Sequence, residues 1–173
     1  MNLDTCEVKK EELRLEEVVG EGTSQLVISQ AVTVPEEKPN VRAIIDFVAR
    51  PRINKVTVLP GKVVVDGVID FAIIYEATVE TQTVHVFHAE VPFSQFVEIP
   101  GAEPGMTANV TVVVEHAVFQ VSPDGRNVTI RAVAAMRVKL TQSTIIEVVT
   151  DVSGVAGLQV TREVIKAEVV LGE

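Results

Sequence analysis

Tryptophan is absent from this 173-residue chain, aromatic residues make up only 4% of it, and a single cysteine, Cys6, stands near its start. So few aromatic faces count against a carbohydrate or base-stacking site, because both depend on exposed rings. One cysteine excludes an internal disulfide but leaves a thiol that can pair with another chain under oxidising conditions. Basic residues are outnumbered, 15 Lys and Arg against 24 Asp and Glu, for a net charge of −9. That average repels nucleic acid and anionic membrane surfaces. No run of about 18 apolar residues occurs, so no membrane helix and no membrane insertion are expected. The opening residues, Met1 to Glu7, have neither the basic nor the apolar region of a signal peptide, so synthesis in the cytoplasm is expected.

Catalytic and metal-binding patterns are equally sparse. His85 and His88 are three residues apart, which on a strand points them to opposite faces; His116 stands alone. Asp66 and Asp70 share a strand face about 13 Å apart, too far for a glycosidase carboxylate pair. Neither a nucleophile elbow nor a phosphate loop is present. The expectation is a non-enzyme without cofactor or metal.

What the chain has in abundance is valine, roughly a fifth of all residues, within a 47% apolar fraction. Apolar and polar residues alternate with period two over segments that read as strands: 13–19, 24–34, 41–49, 52–59, 62–76, 83–91, 95–99, 108–121, 127–140, 144–152 and 158–171. Turn chemistry separates many of them, at Gly20-Glu21-Gly22, Pro60-Gly61, Pro123-Asp124-Gly125 and Ser153-Gly154. The segment 41–49 also fits a helical spacing through Val41, Ile44, Ile45 and Val48. Residues 1–12 are polar and read as an arm, 13–153 as the β domain, and 154–173 as a carboxy-terminal strand or arm.

Two long strands repeat at an offset of 65 residues. Val63, Val65, Gly67, Ile69, Phe71, Ile73 and Tyr75 line one face of the first; Val128, Ile130, Ala132, Ala134, Met136, Val138 and Leu140 line the second. Each follows a hairpin turn and a valine-rich strand, which suggests a duplication with halves of about 53–99 and 108–152. The predicted fold is all-β: an antiparallel two-sheet sandwich, or two tandem β-subdomains, with about ten strands. On the first repeat strand the second face (Val64, Asp66, Val68, Asp70, Ala72, Ile74) is mixed, so another segment of the chain or a neighbouring molecule is expected to cover it.

The motifs then accumulate in order. They are Val19-Gly20-Glu21-Gly22 with Ser24-Gln25, Val32-Thr33-Val34-Pro35 with Lys38-Pro39, and Ala49-Arg50 with Arg52-Ile53. Further on come Pro60-Gly61-Lys62-Val63-Val64-Val65, the corner Pro92-Phe93-Ser94-Gln95-Phe96-Val97-Glu98-Ile99-Pro100-Gly101 with Pro104-Gly105-Met106, and Val114-Glu115-His116. Together, over about residues 15–152, they resemble the SPOCS domain family, the repeated module of SipL-type spore-morphogenesis proteins of endospore-forming bacteria. Such proteins join the module to a LysM domain that docks on a morphogenetic ATPase. No LysM-like segment is read here, so ATPase docking is not expected.

The resemblance implies a non-enzymatic, sporulation-linked module. The favoured reading is a self-associating structural subunit of a spore envelope or of a spore or cell-surface filament, joined by strand pairing or arm exchange. It would be located at the spore surface or in an extracellular appendage. Candidate inter-subunit residues are Cys6, Val64, Val68, Ile74, Val160 and Val164. The alternative is a soluble adaptor that binds a spore-coat morphogenetic protein without polymerising. A small-ligand or polysaccharide-binding sandwich is a third, weaker reading.

Overall fold

The computed structural model describes residues 7–153. They form six strands: β1 (Glu7–Thr33), β2 (Val41–Leu59), β3 (Lys62–Ala77), β4 (Val84–Glu98), β5 (Thr107–Val121) and β6 (Asn127–Ser153). Two antiparallel three-stranded sheets result. Sheet A has the order β1-β6-β5, and sheet B the order β2-β3-β4.

Six described strands, rather than about ten, reflect fusion of neighbouring segments. Segments 41–49 and 52–59 are one strand running through Pro51, and 83–91 and 95–99 are one strand running through Pro92. Both β2 and β4 are edge strands, where one side of the backbone has no ladder to serve and a missing N–H is tolerated. Segments 127–140 and 144–152 are likewise continuous in β6. Gly20-Glu21-Gly22, expected to be a turn, lies within β1. A Cβ on Gly22 would stand 2.4 Å from Val97 Cγ1, and one on Gly20 would stand 2.8 Å from Ile99 Cγ2. The glycines serve close approach of β1 to the end of β4, not chain reversal. Segment 41–49 is strand, and its helical look has a physical cause. Register shifts between Val41 and Ala43 and between Ile44 and Asp46 move the inward positions to Val41, Ile44, Phe47 and Ala49. The expected strand 158–171 lies outside the described residues.

The two repeat strands become the two central strands, β3 in sheet B and β6 in sheet A. Their predicted inner faces are buried throughout, from Val63 to Tyr75 and from Val128 to Leu140. These faces meet to form one core. Rings bridge the sheets, with the Phe47 and Phe119 centroids 5.0 Å apart and those of Phe71 and Phe119 6.1 Å apart. Gly67, in the middle of β3, leaves room for the Phe93 ring directly opposite it and for the Arg52 carbonyl, 2.4 Å from where its Cβ would be.

Loops lock the sandwich. Pro60-Gly61 makes the β2–β3 hairpin, with Gly61 at φ 78°. The Pro-Gly corner after β4 packs back on it: the Gly61 N–H donates to the Ala102 carbonyl at 2.9 Å, and the Ile99 N–H donates to the Gly61 carbonyl at 3.0 Å. Arg126, in the β5–β6 turn, holds the β1–β2 loop. It donates to the carbonyls of Lys38 (2.8 Å), Val34 (2.8 Å) and Pro35 (3.0 Å), and to Asn40 Oδ1 (3.2 Å). Buried Tyr75 donates its hydroxyl to the Pro39 carbonyl of the same loop at 2.8 Å.

Candidate functional site: a projecting ribbon and two outer faces

β1 and β6 are each 27 residues long, but β5 pairs with β6 only as far as Thr141. Beyond that point β1 and β6 continue as a two-stranded antiparallel ribbon, residues 7–18 against 141–153. At strand rise its length is about 40 Å. A two-stranded ribbon without cover is marginal in water. Its stability here comes from being continuous with the sandwich. Residues 7–12, read as part of a polar arm, belong to it.

The ribbon's register defines its faces. Glu11 pairs with Val148, Leu13 with Ile146, Leu15 with Thr144 and Glu17 with Gln142, so these eight residues share one face. On β6 this parity is that of Leu140 and Val138, so the face continues the core face of sheet A past the end of sheet B. Leu13 is 40% and Ile146 38% exposed there. The opposite face carries Lys10, Arg14 and Glu16, with Glu12 directly across from Glu147. Lys10 Nζ reaches Glu147 at 3.8 Å, a pair exposed on both sides.

The outer face of sheet A carries an apolar centre between basic ends. Along β6 it presents Arg131, Val133, Ala135 and Arg137, followed by Lys139, whose ammonium lies 3.7 Å from Glu21. Beside them Val27 is 74% exposed, and Val113 and Val118 are about half exposed. A depression of about 510 Å³ lies at the Arg137 end, lined by Glu21, Asn109, Val113, Ala135, Arg137 and Lys139, with Thr111.

The outer face of sheet B holds the sequence-predicted residues Val64, Val68 and Ile74, all half-buried. Among the described residues no third layer covers them. Val86 opposite Ile74 and Phe96 opposite Val64 are exposed, and Lys62 stands over the Phe96 ring at 5.9 Å. Asp70 accepts from Arg52 at 2.7 Å, and Arg52 also reaches Glu90 at 3.2 Å. The Arg52 hydrogen bond, foremost, holds the Asp70 carboxyl below its ordinary value. Asp66 and Asp70 do share this face, with Asp70 engaged in the ion pair. Cys6, Val160 and Val164 lie outside the described residues.

His85 and His88 point to opposite faces of β4, as their spacing predicts. His85 stacks on Tyr75 with centroids 5.8 Å apart, and its buried Nε2 has no hydrogen-bond partner among the described residues; His88 lies on the outer face opposite Ala72. Among the described residues no group of three or more His, Cys, Asp or Glu is placed to hold a metal, and no helix is long and apolar enough to cross a membrane. Sequence reasoning missed the ribbon. The signal for it was the combined length of 13–34 and 127–152, with too few strands left to flank both.

Such an arrangement defines a β-sandwich with open edges and partly apolar outer surfaces, a form suited to contact with other protein chains. Residues 40–122 match the sequence model of the family described as SipL, SPOCS domain. Residues 40–122 thus carry the likeness to a SPOCS domain, and a SPOCS domain implies a sporulation-related role. The match spans β2 to β5; the ribbon-forming strands β1 and β6 lie outside it. No significant match to a curated protein or to a solved structure is found.

Proposed function

We propose that this protein is a non-enzymatic, self-associating structural subunit of a spore envelope or of a spore or cell-surface filament. One observation carries the reading: the projecting ribbon, whose two edges and continued core face have no partner strand or sheet among the described residues. Unpaired strand edges template pairing with another chain, and an uncovered apolar sheet face is a standing contact surface. The sporulation role of the SPOCS domain supports the location at the spore surface or in an extracellular appendage.

Negative-stain electron microscopy of the full chain, with size-exclusion chromatography with and without reductant, tests the reading. Filaments or sheets are expected. Deleting residues 1–12, which strips half of the β1 side of the ribbon, is expected to abolish them. A monodisperse monomer from the intact chain at every concentration would overturn self-association.

The outer face of sheet B favours a second reading. Val64, Val68 and Ile74, bordered by exposed Val86 and Phe96, make a patch on which a spore-coat morphogenetic protein could dock without polymerisation. Co-purification of a monomer with one coat protein, lost in a Phe96→Asp variant, would favour it.

A further inference from the structure

Two surfaces of this molecule match each other position by position. On the ribbon, β1 reads Glu11, Leu13, Leu15, Glu17: two acidic residues six positions apart with two apolar residues between them. On the outer face of sheet A, β6 reads Arg131, Val133, Ala135, Arg137: two basic residues six positions apart with two apolar residues between them. Both charge pairs span about 20 Å at strand rise. The strips flanking them are also compatible, Ile146 and Val148 beside the first, exposed Val27 and Val113 beside the second.

We infer that the ribbon of one copy lies along the outer face of sheet A of the next, its apolar centre on Val133 and Ala135 and its glutamates against Arg131 and Arg137. This contact deepens the structural-subunit reading and rests on it. Its occupant is a second copy for a geometric reason. The ribbon face continues the inner face of sheet A, on the same two strands whose outer face is the dock. A chain cannot fold that face onto its own outer surface without reversing both strands. The contact joins unlike surfaces and leaves one face free at one end of the assembly and one ribbon free at the other, so it propagates head to tail. Aligned sheet-on-sheet packing at about 10 Å accommodates it, with the charges at its rim. Opposite charges favour this register, because a slip by two residues either way leaves at least one of Glu11 and Glu17 over Val133 or Ala135.

Charge reversal tests it. Glu11→Arg with Glu17→Arg puts like charge on the dock, and Arg131→Glu with Arg137→Glu does the same from the other side. Each variant, with its β-sheet circular dichroism unchanged, is expected to sediment as a monomer where the unmodified chain assembles. A one-to-one mixture of the two is expected to assemble again, because each reversed surface then meets its complement. Variants that assemble like the unmodified chain, or a mixture that stays monomeric, overturn this contact while self-association stands. An unmodified chain that never assembles overturns the structural-subunit reading itself. Should a reversed variant fail to fold, thiol cross-linking decides instead. In a Cys6→Ser background, Leu15→Cys protein is mixed with Val133→Cys or Ala135→Cys protein and treated with a bismaleimide long enough to span the sheet spacing of about 10 Å; a cross-linked heterodimer with either partner supports the contact, and its absence with both overturns it.

Discussion

The two halves of β6 share a strand, an alternation and a partner, yet differ completely in burial. From Val128 to Leu140 every second side chain is sealed in the core; from Gln142 to Val152 the same parity is open to solvent or only half covered. The difference is not in the strand but in what lies opposite. Sheet B stacks over the first half and ends before the second, and β5 flanks the first half alone. Burial energy follows from the facing layer, so one continuous strand passes from the most stable part of the molecule to the least. The part without a facing layer among the described residues is the part that the proposed contact would cover.

That contrast is broken most severely by truncating side chains on either side of it. Phe71→Ala, at the ring contact between the sheets, is expected to cost about 3–5 kcal/mol in urea denaturation. Ile145→Ala, in the ribbon of the unassembled chain, is expected to stay within about 0.5 kcal/mol. Equal losses would mean that the ribbon is packed in solution. Next comes the loop clamp. Arg126→Ala leaves four acceptors without their charged donor and is expected to cost about 2–3 kcal/mol, read from the same denaturation midpoints.

Smaller changes sharpen the comparison from within the ribbon. Glu12 faces Glu147 across the ladder, and like charges directly opposite repel. Glu12→Lys is expected to gain about 0.5 kcal/mol locally, read as slower hydrogen exchange at residues 142–152 with residues 128–140 unchanged. The smallest effect is expected on sheet B. The Arg52 hydrogen bond holds the Asp70 carboxyl below its ordinary 3.8, so its folded value is depressed. The pair therefore contributes above the ordinary carboxylate range and is lost as pH falls through the depressed value. Thermal melts of Asp70→Asn should lie slightly below those of the unmodified chain near neutral pH. The gap should close in strong acid and shrink in high salt, because the pair is exposed.

Much of this was legible in the residues. The all-β class, the inner faces of both central strands and the Pro60-Gly61 and Pro123-Asp124-Gly125 hairpins follow from alternation and turn chemistry, which act over a few residues. Of the motifs that carried the family resemblance, those at 49–53, 60–67, 92–106 and 114–116 fall inside the matched span, and those at 19–25 and 32–39 lie before it. Other features resisted reading because a distant partner sets their meaning. Gly20 and Gly22 look like a turn until Val97 of β4 and Ile99 just after it are seen against them. Pro51 and Pro92 look like strand breaks until β2 and β4 prove to be edges. Val41, Ile44, Ile45 and Val48 look helical until two bulges put Val41, Ile44 and Phe47 on the inner face of a strand.

Local pattern thus decided which residues turn inward, since a side chain's face on a strand depends only on its neighbours in the chain. Which stretches of those faces are covered was decided by the tertiary structure alone. Cover requires a second sheet of matching length. Among the described residues sheet B stops short, so a ribbon whose local alternation resembles that of the core stands outside it, and its apolar face is left without a facing sheet.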